Sequence, residues 1–389
     1  MILLDLKELK NKFIGLYGKG ENIKTFFSPS RVNIIGEHID YNGGKVLPGA
    51  IGLGTYGIVR KREDNKVFLA SENVDLRVEV NIDNLKFEKE HGWGNYPKGV
   101  LYFIREVGYK IGGMDILVKG NIPYGAGLSS SASLELLIGE MVNILFNHGS
   151  IPTVELVKIC QRAENEFVGV KCGIMDQFAI GMGKKEKVIL LDTNNLQYEY
   201  IDMDLGDHIL VIMNTNKQRE LSDSKYNERR EECEKGLDLI REYKDIEKLC
   251  DLSIEEFKEL EEFIIPNDIK NRVEHVVYEN HRVNEAVTAL KQGDILKIGQ
   301  LLIESHNSLR DLYEVTGKEL DSIVSSANKF PDCLGARMVG AGFGGCAIAI
   351  VKKDSLDEFI DYVSKRYKEN TGQDGEFYVT NISDGVREI

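Results

Sequence analysis

The sequence predicts an α+β fold with two domains. At about 100–200 residues per domain, a chain of 389 residues has room for two domains that each bury a core. The first half is rich in short strands broken by glycine, whereas the second half is rich in charged helices. Neither half shows a clean βαβ alternation, so an α+β fold is favoured over a doubly wound parallel sheet. We place the boundary near residue 200, which gives domains of residues 1–200 and 201–389.

Short strands broken by glycine are predicted in the first third of the chain, and polarity alternates along Leu76–Ile82. Apolar residues at i, i+3, i+4, i+7 and i+11 then mark one face of a helix, and Pro152 lies near the first turn of a second helix. Two strands around a turn and a further strand complete this half. The helices are indicated by Leu134, Leu137, Ile138, Met141 and Leu145 and by the run Thr153–Phe167; the strands are Val46–Leu47, Gly57–Arg60, Val67–Ala70, Leu76–Ile82, Asp115–Lys119, Val188–Leu191, Gln197–Asp202 and Ile209–Met213.

Charged helices dominate the second half. Their runs of mixed charge are typical of solvated helix faces. A glycine-rich segment then leads into a strand, a helix and a last strand. The predicted helices are Glu228–Tyr243, Ile254–Phe263, Val273–Gln292, Asp294–Leu309, Lys318–Lys329 and Ser355–Asn370, and the strands are Ala347–Val351 and Phe377–Asn381.

The charge balance and the cysteines exclude several classes of protein. Forty-nine Lys and Arg against 63 Asp and Glu leave a formal charge of −14. Without a basic block, the chain lacks the positive charge that a nucleic-acid binder needs to displace counterions. The six cysteines form no C-x-x-C pair, so neither a zinc site nor a disulfide framework is expected. We therefore expect a cytoplasmic protein with no nucleic-acid partner. We also expect a monomer with no obligate protein partner, although neither the charge nor the cysteines determine the oligomeric state.

The hydrophobic segments give no sign of a membrane partner. The first ten residues, MILLDLKELK, are too few and too acidic for a signal peptide. No uncharged apolar run approaches the ~18 residues that cross a bilayer. We expect no association with a membrane.

Glycine is abundant and proline is scarce, with 38 Gly against 7 Pro, where average usage gives roughly 27 and 19. The glycines cluster at Gly36–Gly57, Gly120–Gly127 and Gly335–Gly345. The middle cluster reads GNIPYGAGLSSSAS and opens the first predicted helix, whose N-terminal N–H groups suit a phosphate. Gly125 and Gly127 would let the backbone approach a ligand, and the serines that follow offer hydroxyls or an oxygen ligand for Mg²⁺. The alternative is a serine-rich cap on an ordinary helix.

Two familiar nucleotide motifs are excluded. No G-x-x-x-x-G-K-[ST] loop occurs in the chain. Gly340, Gly342 and Gly345 do spell G-x-G-x-x-G, but this segment precedes a strand instead of opening a helix, so it does not predict a dinucleotide site. A glycine-rich turn that supports a neighbouring loop or ligand fits it better.

Polar residues crowd the first glycine cluster, SRVNIIGEHIDYNGGKVLP at 30–48. Its charged and amide side chains, beside an apolar strand and a Gly-Gly turn, suit a polyhydroxylated ligand; a charged turn with a satisfied histidine is the alternative. In the segment Cys172–Gln177, Asp176 either caps a helix or accepts a hydroxyl proton in a sparsely hydrated pocket. Spacing leaves both readings open. H-E-x-x-H and G-x-S-x-G are absent, which excludes zinc peptidases and α/β-hydrolases.

Three motifs together resemble those of the galactokinases, members of the GHMP superfamily of sugar and small-alcohol kinases. They are SRVNIIGEHIDYNGGKVLP, IPYGAGLSSSAS and GARMVGAGFGGCAIAIV, and the resemblance spans nearly the whole chain. It implies a two-domain GHMP kinase fold, with an N-terminal domain like domain 2 of ribosomal protein S5 and a ferredoxin-like C-terminal domain. The active site would lie in the cleft between them. The implied reaction is ATP-dependent phosphorylation of α-D-galactose at C1 in galactose catabolism.

The resemblance also implies roles for the sugar-binding and catalytic residues. Asp176 would be the base that takes the C1 hydroxyl proton, and Arg31 would stabilise charge beside it. Ile39 departs from the family, which usually has Thr there, and this bears on the exact sugar. A kinase for N-acetylgalactosamine or L-arabinose, or a non-catalytic sugar- and ATP-sensing regulator, are the alternatives. The residues placed around the sugar are Glu37, His38, Ile39, Asp40, Gly173, Asp176 and Tyr226.

ATP and Mg²⁺ are the cofactors that the resemblance implies. Ser131 and Glu164 would hold the metal. Ser71, in the shorter match ASENVD, would lie near the nucleotide. The phosphates would be wrapped by Gly125, Ala126, Gly127, Leu128, Ser129, Ser130 and Ser131. This loop, the metal ligands and the base are all intact, which favours a working kinase over a regulator.

Overall fold

The computed structural model describes residues 5–123, 125–217 and 222–389. Within these residues, none of the helices combines the length and the apolar character needed to cross a membrane. The α-helices are α1 (Leu6–Tyr17), α2 (Asn95–Glu106), α3 (Ser130–Asn147), α4 (Thr153–Arg162), α5 (Met175–Met182), α6 (Ser222–Arg241), α7 (Ile254–Leu260), α8 (Asn267–Gln292), α9 (Ile295–Asp311), α10 (Lys318–Asn328) and α11 (Leu356–Thr371).

The strands form three sheets. A six-stranded sheet has the order β13-β1-β3-β6-β4-β5, a four-stranded sheet has the order β10-β11-β9-β12, and a three-stranded sheet has the order β2-β7-β8. The strands are β1 (Lys24–Asn33), β2 (Lys45–Val46), β3 (Pro48–Lys61), β4 (Lys66–Ser71), β5 (Val78–Asn81), β6 (Met114–Gly120), β7 (Lys187–Asp192), β8 (Tyr198–Asp202), β9 (His208–Asn214), β10 (Cys333–Met338), β11 (Cys346–Lys352), β12 (Glu376–Thr380) and β13 (Arg387–Glu388).

The six-stranded sheet is covered on both faces. Helix α3 packs on β1 and β3 on one side. Leu9 and Phe13 of α1 form a separate apolar cluster with Ile58, Ala70 and Leu117. Because strands covered on both faces are buried throughout, β1 and β3 show long buried runs instead of a period of two. The sheet therefore provides a rigid base for the loops at its ends.

Strand β13 brings the last residues of the chain back to this sheet, where it pairs antiparallel with β1. The four-stranded antiparallel sheet is formed by the second half of the chain, with α9 and α10 packed on β10. Strand β8 of the three-stranded sheet ends at Asp202, and β9 of the four-stranded sheet begins at His208. The chain therefore passes from one sheet to the other near residue 200. The division into domains 1–200 and 201–389 stays a prediction.

Most of the predicted elements are confirmed, including α3 and the helices of the second half. The helix predicted to run to Phe167 ends as an α-helix at Arg162 and continues as one π-helical turn, Ala163–Val168. Such turns are rare in proteins as a whole, but many of those that occur lie at functional sites. This one carries Glu164.

The elements that were not predicted include α1, β1, α2, β10 and β13. Strand β1 contains Pro29, which usually argues against a strand; the register shifts at Pro29 and Ser30, so the proline lies at a bulge. Helix α2 has Pro97 in its first turns, where its missing N–H leaves no helix hydrogen bond unmade. Strand β10 is short and contains Gly335, whose neighbour is the backbone of Gly299 on α9.

Candidate active site

A cavity of about 840 Å³ lies where the two halves of the chain meet. Its walls come from the end of β1, the β1–β2 loop (residues 34–44), the glycine–serine loop (residues 125–131), the start of α5, the start of α6 and the segment after β10. The predicted residues that line it are Arg31, Glu37, His38, Asp40, Gly125, Ala126, Gly127, Leu128, Ser129, Ser130, Ser131, Gly173, Asp176 and Tyr226.

Three other predicted residues lie outside the cavity lining. Ile39 is fully buried in the hydrophobic core, so its side chain does not face the cavity. Glu164 is 6% exposed and lies behind the glycine–serine loop. Ser71, at the end of β4, lines a separate groove of about 510 Å³ with Asn73, whose side chain bonds to both backbone groups of Gly120 at the end of β6.

An arginine–aspartate pair stands at the centre of the cavity. Arg31 Nε donates to Asp176 Oδ1 at 2.6 Å and Arg31 Nη2 donates to Oδ2 at 2.8 Å. Such a two-point, charge-assisted pair holds both planes in one orientation. The hydroxyl of Ser129 donates to the same carboxylate, and Arg31 Nη1 donates to the carbonyl of Gly127 at 3.2 Å. The pair is therefore tied directly to the glycine–serine loop.

The glycine–serine loop turns tightly before α3. Gly125 and Gly127 each have φ of 70° and Ser129 has φ of 58°, a region that L side chains adopt reluctantly and glycine adopts readily. Ala126 and Leu128 are 1% exposed, so what they offer to the cavity is backbone. With α3 beginning at Ser130, the first N–H groups of that helix lie next to this backbone, as a phosphate site requires.

Glu37 is held by residues that the sequence analysis did not single out. Its Oε1 accepts from Arg337 Nη2 at 3.0 Å and from the N–H of Gly340 at 2.8 Å. Arg337 is fully buried, and it also donates to the carbonyls of Asn33 and Ile34. A Cβ on Gly340 would lie 3.1 Å from the carbonyl of Gly127. The glycine-rich third motif thus supports both loops, as predicted, but its sequence alone did not reveal the role of Arg337.

Three tyrosine rings lie around His38. Its Nδ1 lies 2.8 Å from the hydroxyl of Tyr41, which lies 2.8 Å from the hydroxyl of Tyr313. The ring of Tyr226 is 5.7 Å from that of His38. Burial, and after it the positive potential of His275, lowers the pKa of His38 to about 3. The imidazole is therefore neutral at physiological pH and offers neutral hydrogen-bonding nitrogens.

Asp40 lines the same cavity as Asp176. Burial raises the pKa of Asp40 to about 6, and the charges of Asp176 and Glu37 add to this. A Cβ built on Gly173 would overlap Oδ2 of Asp40. The absence of a side chain at 173 therefore leaves the room that the Asp40 carboxylate occupies.

Replacement of Gly173 by Ala should weaken binding of the sugar that the sequence motifs imply, without unfolding the protein. The new methyl group would push the Asp40 carboxylate from its place, while the backbone at 173 is not in the left-handed region. We expect the sugar KM to rise about tenfold, equivalent to ~1.4 kcal/mol, with a melting temperature close to that of the wild type. Gly15→Ala on α1, where nothing lies within 4 Å, is the matched control and should keep the wild-type KM. An unchanged KM for Gly173→Ala would contradict this prediction.

The pKa of Asp40 predicts a pH-dependent stability. Because this pKa is raised from 3.8 to about 6, the folded state holds the proton more tightly than the unfolded state, and stability falls as pH rises from about 4 to about 6. Asn cannot ionise, so Asp40→Asn should be more stable than the wild type above pH 6, by at most about 3 kcal/mol. The difference should vanish below pH 4. Urea unfolding of both proteins from pH 4 to pH 8 tests this, and a difference independent of pH would contradict it.

A second group of carboxylates lies behind the glycine–serine loop. Gln177 Nε2 donates to Glu164 Oε2 at 2.7 Å and to Glu135 Oε2 at 3.1 Å. Burial raises the pKa of Glu164, and a hydrogen bond from Ser131 opposes that rise. Burial, followed by the charge of Glu164, raises the pKa of Glu135 well above its usual range. Neither Glu135 nor Gln177 was predicted, because nothing in the sequence distinguishes them from polar residues of a helix surface.

Ser131 and Glu164 are suitable for binding Mg²⁺. Among the described residues, no lysine or arginine pairs with Glu164, so its buried carboxylate lacks a compensating positive charge. No group of three or more His, Cys, Asp and Glu side chains that could hold a metal ion is found in that part of the chain. Mg²⁺ commonly uses only one or two protein oxygens and takes its other ligands from phosphates and water. A hydroxyl and a carboxylate beside the glycine–serine loop match that requirement.

Comparison with known proteins identifies the family. The family model described as GHMP kinases N terminal domain matches residues 95–184, GHMP kinases C terminal matches residues 286–369, and the Galactokinase galactose-binding signature matches residues 11–61. Galactokinase of Clostridium tetani is 59% identical over 99% of this chain and 98% of its own length. Galactokinase of Ligilactobacillus salivarius is 51% identical over 99% of this chain and all of its own length.

Solved structures agree with this. The crystal structure of Lactococcus lactis galactokinase complexed with galactose matches with a TM-score of 0.95 and 45% identity, over 99% of this chain and 100% of that one. Mevalonate kinase of Methanococcus jannaschii, at 20% identity, shares the fold with a TM-score of 0.70 over 94% of this chain and 100% of that one. The GHMP kinase fold that the motifs implied is confirmed. The chain belongs to the galactokinase family of GHMP kinases.

Proposed function

We propose that this protein transfers the γ-phosphoryl group of ATP to the C1 hydroxyl of α-D-galactose, which yields galactose 1-phosphate and ADP. The observation that carries the proposal is the Arg31–Asp176 pair, which faces the cavity and is tied to the glycine–serine loop through Ser129 and Gly127. This arrangement puts a carboxylate beside the turn to which we assign the phosphates. A relative 45% identical to this chain was crystallised with galactose, which supports the choice of sugar.

Asp176 is the base in this proposal. Its carboxylate accepts the proton of the C1 hydroxyl as that oxygen forms a bond to the γ-phosphorus, and the bond from phosphorus to the β–γ bridging oxygen breaks to release ADP. Phosphoryl transfer depends mainly on alignment and on stabilisation of charge. Arg31 fixes the orientation of Asp176 through two hydrogen bonds, and its buried positive charge lies where negative charge develops.

The sugar would lie between the β1–β2 loop and the start of α6. In this proposal its hydroxyls bond to Asp40, to the neutral His38 and to Glu37, with Gly173 on the other side and Tyr226 closing over the ring. Ile39 reaches the sugar only through its backbone, because its side chain lies in the core. Ile39, where the family usually has Thr, therefore adds no side chain to those that surround the sugar.

ATP would lie along the glycine–serine loop, with Ser71 nearer to its nucleoside. Ser131 and Glu164 are the residues that we assign to the metal. Mg²⁺ bound with ATP supplies positive charge that offsets the charge of the phosphate oxygens. Local N–H groups and Arg31 favour the anionic nucleotide at this site although the whole chain carries a charge of −14.

We further propose that the protein works as a monomer in the cytoplasm. No disulfide joins cysteines within the described residues, which is usual for a reducing compartment. Its small substrates are enclosed by one chain, and both halves of that chain line the cavity. The division near residue 200 corresponds in this proposal to the two sides of the cleft.

A substrate panel tests the proposed reaction. The protein is mixed with ATP, Mg²⁺ and one of galactose, galactosamine, N-acetylgalactosamine, L-arabinose or glucose, and ADP release is followed by a coupled assay. We expect galactose to have the highest kcat/KM. A higher value for N-acetylgalactosamine or L-arabinose would assign a sibling specificity, and no ADP release with any sugar would indicate a non-catalytic sensor.

A further inference from the structure

Glu135 and Gln177 form a buried polar layer beneath the proposed metal ligand. Both are fully buried. The single amide nitrogen of Gln177 donates to Glu135 Oε2 and to Glu164 Oε2. Within the described residues, Glu135 Oε1 and Gln177 Oε1 have no hydrogen-bond partner. A buried oxygen without a hydrogen-bond partner lowers the stability of the folded protein. If these two positions served only to pack the core, an apolar side chain would stabilise the protein more.

The elements that carry this layer also carry the active-site groups. On α3, Glu135 comes four residues after Ser131, so the two lie on one face of the helix, one turn apart. On α5, Gln177 follows Asp176 directly. Glu164 lies in the π-helical turn after α4. The layer therefore connects the glycine–serine loop, the proposed base and the proposed metal ligand through one amide group.

The orientation of the Gln177 amide is set by these contacts. An amide presents two donors at its nitrogen and only acceptors at its oxygen. If the amide were reversed, its oxygen would face two carboxyl groups, and Glu164 would lose its 2.7 Å hydrogen bond. Glu164 Oε2 also receives a hydrogen bond from the Cys172 thiol at 3.5 Å, so this oxygen is held by two donors. Ser131, the other proposed metal ligand, also bonds to the Glu164 carboxylate.

We propose that Glu135 and Gln177 are positioning residues that hold the Glu164 carboxylate in the orientation required by the metal bound with ATP. This inference rests on the proposed function, in which Glu164 is a metal ligand. Glu135 fixes the Gln177 amide, and Gln177 fixes Glu164. Groups that orient a metal ligand typically change metal affinity by about 10–100-fold when they are removed.

Binding of Mn²⁺, used as a paramagnetic substitute for Mg²⁺, tests the proposal without turnover. The dissociation constant of Mn²⁺ is measured by electron paramagnetic resonance in the presence of a non-hydrolysable β,γ-imido analogue of ATP. We expect Glu135→Leu and Gln177→Leu each to weaken Mn²⁺ binding by about 10–100-fold. The double variant should bind Mn²⁺ about as tightly as the single variant with the lower affinity, because both substitutions remove the same orienting contact. Thermal unfolding should show that the variants remain folded.

Three further variants decide the outcome. Glu140→Leu is the matched control, because Glu140 lies on the same helix and accepts a hydrogen bond from Asn143. This variant should bind Mn²⁺ as the wild type does. Glu135→Gln retains an acceptor oxygen for Gln177 and should restore part of the lost affinity. If Glu164→Gln weakens binding but Glu135→Leu and Gln177→Leu do not, the positioning role is wrong while the proposed metal ligand stands. If Glu164→Gln also leaves binding unchanged, the proposed metal assignment itself fails.

Discussion

Replacement of Asp176 by Asn should lower kcat by about 10²–10⁴-fold. The amide has nearly the shape of the carboxylate but cannot accept the C1 hydroxyl proton. The amide oxygen can still accept from Arg31 Nε, and the amide nitrogen can donate to the hydroxyl of Ser129. The residue at 176 therefore keeps its place, and sugar binding should remain measurable. Stopped-flow or quench measurements of a single turnover give the chemical step, and calorimetry with galactose gives the affinity.

Asp202→Asn is a suitable control for this experiment. Asp202 is exposed at the end of β8 and pairs with Lys187 on the surface, so its replacement should leave kcat and KM unchanged. A kcat near that of the wild type in Asp176→Asn would exclude Asp176 as the base. A loss of sugar binding with normal turnover at saturation would instead assign it to the binding of the sugar.

Replacement of Arg337 by Leu should destabilise the protein by about 3–5 kcal/mol, because it removes one partner of a buried ion pair and leaves the other charge unpaired. Arg337 is fully buried and donates to Glu37 and to the carbonyls of Asn33 and Ile34. The variant should also have a higher KM for the sugar, because Glu37 loses the contact that holds it. Urea unfolding measures the first effect and steady-state kinetics the second.

Two other variants separate this mechanism from a general loss of packing. Arg310→Leu removes an exposed arginine paired with its neighbour Asp311, and should change stability by less than about 0.5 kcal/mol. In the double variant Arg337→Leu/Glu37→Leu the unpaired carboxylate is also gone, so part of the lost stability should return. If the double variant is as unstable as Arg337→Leu, the unpaired charge is not the cause.

The parts of the structure that follow local rules were predicted well. Helix α3 was recognised because its apolar residues recur with the helical period, and the glycine–serine loop because its glycines and serines are contiguous. Strand β1 was missed because burial on both faces removes the alternation that marks a strand, and because Pro29 lies at a bulge. The π-helical turn at Glu164 has no local signature, so the helix before it was predicted to continue unchanged.

In the candidate site, too, residues in contiguous motifs were predicted and residues brought in from distant elements were not. Arg31, Asp176 and the residues of the β1–β2 loop were named because they belong to contiguous motifs. The partner of Glu37, in contrast, is Arg337, which lies 300 positions later in the chain, and no spacing rule connects the two residues. Gln177 was adjacent to a named residue, but its importance appears only when α3 and the π-helical turn pack against α5.

By itself the sequence determined the family, the GHMP kinase fold and the segments that form the cavity, because each is encoded by residues close together along the chain. Only the tertiary structure decided which buried groups hold those segments in place. Arg337 beneath Glu37, the tyrosines around His38, and Glu135 and Gln177 beneath Glu164 come from distant elements. Their contacts depend on the packing of the whole core, in which a hydrogen-bond partner is selected by proximity in space and not by position along the chain.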